Sequence, residues 1–81
     1  MSDIFQLSIR TVYNKVVSNN PIYLNANNDT TIMEIKQKLC IIENIPIEQQ
    51  RIVFMGMSTE SNRTLSDYNI NKDSQLYLLT K

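Results

Sequence analysis

An 81-residue chain has room for one domain and not for two, so residues 1–81 are read as a single folding unit. Eight basic and eight acidic side chains balance, which leaves no net field to attract nucleic acid or an anionic membrane. With no histidine, one glycine (Gly56) and one cysteine (Cys40), the commonest general base and zinc ligand, a glycine-rich phosphate loop and an internal disulfide are excluded together.

The start, Met1-Ser2-Asp3-Ile4, has neither the basic residues nor the apolar run of a secretory leader. No apolar stretch approaches the roughly 20 residues that span a bilayer. A small domain without a disulfide suits a reducing compartment, so a cytoplasmic or nuclear location is expected.

Ile4 to Arg10 reads as a strand, because Phe5, Leu7 and Ile9 alternate with Gln6 and Ser8. Pro21 to Ala26 reads as a second, with Ile22 and Leu24 on one face. The connection between them, Thr11 to Asn20, is longer than a tight hairpin needs. Asn14 and Asn19-Asn20 mark turns in it, and it carries Val12, Val16 and Val17.

A helix follows. Thr31 is a good N-cap, and Glu34 three residues on completes a capping box. Ile32, Ile35, Leu39 and Ile42 share one face at helical spacing. Cys40 falls at the edge of that face as a half-buried apolar side chain, and Ile41 points away from it. Asn44 tolerates the left-handed conformation that ends a helix, and Pro46 forbids continuation.

Arg51 to Met55 is the next strand, with Ile52 and Phe54 on one face and Arg51, Val53 and Met55 on the other. Gly56 marks a turn. Thr64 to Tyr68 reads as a short helical turn capped by Thr64 and Asp67. Gln75 to Leu79 is the last strand, with Leu76 and Leu78 facing one way and Tyr77 and Leu79 the other. The expected fold is α+β: a mixed sheet of four or five strands packed on one helix. The helix covers one sheet face, which leaves Val53, Tyr77 and Leu79 on the wet one. A cluster of apolar side chains there is the informative kind of exposure.

The run Ile45-Pro46-Ile47-Glu48-Gln49-Gln50-Arg51-Ile52-Val53-Phe54 is similar to ubiquitin, and Arg63-Thr64-Leu65-Ser66-Asp67-Tyr68-Asn69-Ile70 matches it residue for residue. From Thr31 to Leu79 the alignment needs no gap, whereas the first thirty residues match only in pattern. The chain therefore resembles the ubiquitin-like family. The resemblance implies a β-grasp fold in which the first and last strands run parallel, and a Tyr68 hydroxyl bonded to backbone near Glu60.

It also implies a surface patch at Val53, Tyr77 and Leu79, with Arg51 near its rim, that other proteins recognise; Met55, at the outward parity of the same strand, is read as an adaptable contact extending it. A fourth patch position falls in the first connection, where Val12, Val16 and Val17 are all candidates. The implied partners are ubiquitin-binding proteins: helical ubiquitin-associated or ubiquitin-interacting modules and proteasome receptors. No catalytic residue, cofactor, metal, nucleic-acid or membrane partner is implied, and the domain is expected to be monomeric.

Departures from the family pattern are informative. The sequence stops at Leu79-Thr80-Lys81 without the diglycine through which the family's modifiers are conjugated, so a non-conjugated interaction domain is expected. The alternatives are a conjugated modifier whose tail lies beyond Lys81, and a scaffold subunit that uses another surface. Lys36, Lys38 and Lys72 match lysines of ubiquitin, whereas Met57 stands where its chain-forming lysine would be. Thr59 replaces an apolar core residue, a gap that Met55 or Met57 is expected to fill. Ser61 replaces the acidic partner of Lys36, which must find another partner or stay solvated.

Overall fold

The computed structural model describes residues 4–80; Met1 to Asp3, whose lack of a leader pattern was noted above, and Lys81 lie outside that range. The chain runs β1 (Phe5–Tyr13), β2 (Val16–Val17), β3 (Ile22–Ala26), α1 (Ile32–Glu43), β4 (Gln50–Phe54), β5 (Met57–Ser58) and β6 (Gln75–Thr80). Short 3-10 turns cover Ile47–Gln49 and Ser66–Tyr68. The sheet order is β2-β1-β6-β4-β5, with β3 also paired to β1. β1 and β6 are parallel neighbours at the centre, and every other pair is antiparallel. This is the expected β-grasp layout.

The helix forms where the sequence marks it. The Thr31 hydroxyl accepts from the Glu34 N–H at 3.1 Å, and the Glu34 carboxylate accepts from the Thr31 N–H at 3.2 Å. These reciprocal bonds satisfy donors that the first helical turn leaves unpaired. The Ile32 and Met33 N–H groups donate to the carbonyls of Arg63 and Ser61, both at 2.9 Å, which fastens the helix start to the late loop. Asn44 ends the helix at φ 56.

Ile32, Ile35 and Leu39 are fully buried against Leu7, Ile9, Ile52, Leu76 and Leu78 of the sheet. Truncating any of these to alanine removes about 2–5 kcal/mol. Ile42, expected on the same face, is instead 54% exposed. The left-handed turn at Asn44 folds Ile45 back into the core at 8% exposure, and that residue closes the end of the core in its place.

β1 is longer at its C-terminal end than its apolar alternation suggests. Ile4 stays outside the strand and is exposed, while Thr11 takes the next inward position and is buried. Val12 and Tyr13 then pair with Val17 and Val16. The two-residue turn between them, Asn14-Lys15, has φ 50 and φ 67. Positive φ at both central residues is the twist-compatible geometry of a tight hairpin. The expected loop is thus a hairpin. Its surplus residues lie in the return: Val12 opposes Val17 while Ile9 opposes Ile22, so Ser18 to Pro21 stand against only Arg10 and Thr11.

β4 starts at Gln50 and ends at Phe54, so Met55 belongs to a turn and not to the strand face expected for it. Met55 (φ 51) and Gly56 (φ 78) form a second tight turn that leads into β5. Neither methionine fills the gap beside Thr59, since Met55 is 80% and Met57 57% exposed. Thr59 is accommodated by polar means: its backbone N–H and its hydroxyl both donate to the Ile52 carbonyl at 2.9 Å.

Candidate functional site

Strand register sorts the sheet into two faces. Leu7, Ile9, Ile52, Leu76 and Leu78 are fully buried under the helix, and the residues between them face the other way. On that outer face Val17, Val12, Leu79 and Arg51 line up as direct cross-strand neighbours. Two residues along, Arg10, Tyr77, Val53 and Ser58 form a parallel row. Val53, Tyr77, Leu79 and Val12 are half-buried, and Arg51 and Val17 are exposed.

The predicted residues Val53, Tyr77, Leu79 and Arg51 are therefore brought together. Of the first-connection candidates, Val12 and Val17 join them, opposite each other and beside Leu79. Val16 does not: it pairs with Tyr13, at the opposite parity. Met55 sits at the tip of its turn, off the rows.

Arg10 was missed by sequence reasoning. It is directly opposite Tyr77, and its Nη1 donates to the Ser18 carbonyl at 2.8 Å. Strand parity alone puts it outward at the end of the expected strand; what hid its place beside the patch is its pairing with Tyr77, which joins distant residues. Arg10 and Arg51 are the charged side chains of the six strands, and every acid among the described residues lies on the helix, turns or loops. The two rows thus carry apolar side chains, Ser58 and two cations with no acid, although the whole chain is neutral.

The loop from Met57 to Tyr68 is pinned as the resemblance implied. The Tyr68 hydroxyl accepts from the Glu60 N–H at 2.8 Å. The Asp67 carboxylate accepts from the Thr64 N–H at 3.0 Å, which holds its pKa below the usual carboxylate range. Arg63 pairs with Glu60 at 3.1 Å on the surface, and this bond raises the guanidinium pKa further.

The matched lysines have different surroundings. Lys36 finds the replacement residue itself, with Nζ donating to the Ser61 hydroxyl at 2.9 Å. Burial lowers its pKa. Lys38 donates to the Asn25 carbonyl at 2.9 Å, and Lys72 is exposed. Cys40 is half-buried and Ile41 is 84% exposed, as expected. Among the described residues no cluster of three or more metal-ligating side chains occurs, and no helix is long and apolar enough to cross a membrane.

A mixed sheet laid on one capped helix, with an apolar face left open, defines a β-grasp domain. The Ubiquitin family model matches residues 11–81, and the chain belongs to that family. It is 30% identical over 76 residues to ubiquitin-like protein 4A of Homo sapiens, covering 94% of this chain and 45% of that protein. The Mus musculus protein of the same name gives the same figures. The Callithrix jacchus one is 36% identical over 53 residues, covering 65% of this chain and 34% of that protein. The chain spans less than half the length of the relatives it matches.

Proposed function

We propose that this domain is a docking unit, bound by ubiquitin-recognising proteins through the face formed by Val53, Tyr77 and Leu79, and that it works without conjugation and without catalysis. The observation that carries this is the register: Val53 stands opposite Tyr77, and Val12 opposite Leu79, on the one sheet face the helix leaves open. A face of this kind suits a short amphipathic helix laid across it, the mode offered by ubiquitin-associated and ubiquitin-interacting modules and by proteasome receptors. Arg51 at the rim suits a carboxylate on such a partner. Tyr77 adds aromatic area of the type that anchors interfaces. Met57, in place of the chain-forming lysine, fits a domain that is read and not extended. The working compartment is the cytoplasm or nucleus, and the domain acts as a monomer.

The test is an NMR titration of the labelled chain with a ubiquitin-associated three-helix module. Shift changes that cluster on Val53, Tyr77 and Leu79 support the reading. Changes confined to the helix face around Ile41 would replace it with the scaffold alternative.

A further inference from the structure

The β1–β2 hairpin carries the outer face further than the central strands do. Val17 stands beside Val12, Val12 beside Leu79, and Leu79 beside Arg51. Four strands at about 4.8 Å spacing make this row about 14 Å long. A helix lying along it needs about ten residues at 1.5 Å each. Without Val17 the row shortens by one strand spacing, which is close to one helical turn.

The return of the hairpin is irregular, and its position depends on a particular contact. Ser18 to Pro21 are set against two residues of β1. Two bonds fasten the start of this bulge: the Ser18 N–H donates to the Thr11 carbonyl at 2.9 Å, and Arg10 Nη1 donates to the Ser18 carbonyl at 2.8 Å. Ser18 follows Val17 directly, so the guanidinium clamp fixes the residue that sets where Val17 stands.

We propose that the Arg10-clamped hairpin is a specificity element of the docking face, with Val17 as its contact and Arg10 as its positioning residue. It selects an amphipathic helix about one turn longer than Val12, Leu79 and Arg51 alone would hold, with a carboxylate facing Arg51. This inference rests on the docking reading above and deepens it. The occupant follows from charge: the strands carry two cations and no acid. Val16, at the opposite parity on the same short strand, makes no contact with that helix.

The experiment measures binding of the 81-residue chain to a single-helix ubiquitin-interacting peptide, and to the same peptide shortened by one turn at the end over the hairpin. Val17→Ser weakens the long peptide by about fivefold, as expected for the loss of a few tens of Å² of buried apolar contact, and leaves the short one unchanged. Val16→Ser changes neither. Arg10→Ala weakens the long peptide too, and its effect is not additive with Val17→Ser, because both remove the same contact. Additive effects would show that Arg10 meets the partner by itself and would overturn its positioning role. Equal losses for both peptides, or none with Val17→Ser, would overturn the hairpin element. If Val53→Asp abolishes binding in that case, the docking face stands without the hairpin; if Val53→Asp is also silent, the docking reading itself fails.

Discussion

Gln50 is the polar side chain most committed to holding this fold, and changing it to glutamate tests its surroundings directly. It is 6% exposed at the start of β4. Its Nε2 donates to the carbonyls of Lys36, in the helix, at 2.9 Å, and of Ile45, just beyond the helix, at 3.0 Å. Gln50 thus joins helix, turn and sheet. Among the described residues its Oε1 is the buried side-chain oxygen or nitrogen with no partner, so its hold on the fold rests on the Nε2 donors alone.

Gln50→Met removes two hydrogen bonds and strands the Ile45 carbonyl, a cost of about 2 kcal/mol at any pH. Gln50→Glu puts an acceptor against two carbonyls. The buried carboxyl must stay protonated, so its folded pKa rises well above the unfolded value of about 4.3. A raised folded pKa means the stability is retained below the unfolded pKa and lost as pH rises toward the folded one. The loss grows by about 1.36 kcal/mol per pH unit and reaches about 4 kcal/mol near neutrality. Urea unfolding of the wild type and both variants from about pH 4 to neutral measures this. The glutamate variant should match or exceed the methionine variant in acid and fall far below it at neutral pH. A glutamate variant whose stability is flat across that range would refute the buried, carbonyl-facing site.

Tyr68→Phe should cost about 1 kcal/mol, because the Glu60 N–H loses its acceptor, and hydrogen exchange at that amide should quicken. Ser61→Asp should stabilise the domain by about 0.5–1 kcal/mol at neutral pH, since it gives the half-buried Lys36 ammonium an opposite charge in place of a hydroxyl. The new carboxylate has a depressed folded pKa, so that gain should disappear as pH falls through it. Equal stability of this variant and the wild type at neutral and acid pH would refute the account of Lys36.

The fold was legible in the sequence because local signals agreed with one another. The Thr31/Glu34 box, the Asn44-Ile45-Pro46 exit and the alternation in β4 and β6 each had one reading, and tertiary packing kept it. The same parity gave Val53, Tyr77 and Leu79 their common face. What escaped depended on pairing between distant residues. Val12 and Tyr13 look like loop until Val17 and Val16 are known to lie opposite them, and only that pairing separates Val17 from Val16. Arg10 was hidden for the same reason. Ile42 fits the helical stripe, and only the return of Ile45 leaves it outside. Met55 and Met57 looked like candidates to fill the space at Thr59, but tight-turn geometry holds them out and a hydroxyl bond to the Ile52 carbonyl serves instead.

The central claim is that Val53, Tyr77 and Leu79 form one docking face, and the most direct measurement is calorimetric binding of Val53→Asp to a ubiquitin-associated module. Val53 is half-buried among its row neighbours on the side away from the core, so a carboxylate there should leave the fold intact by amide dispersion. A charge buried at the centre of the contact should weaken binding by at least about thirtyfold, the equivalent of roughly 2 kcal/mol. Ile41→Asp, on the exposed side of the helix, should bind as the wild type does. Undiminished binding by Val53→Asp, or a loss with Ile41→Asp instead, would contradict the account.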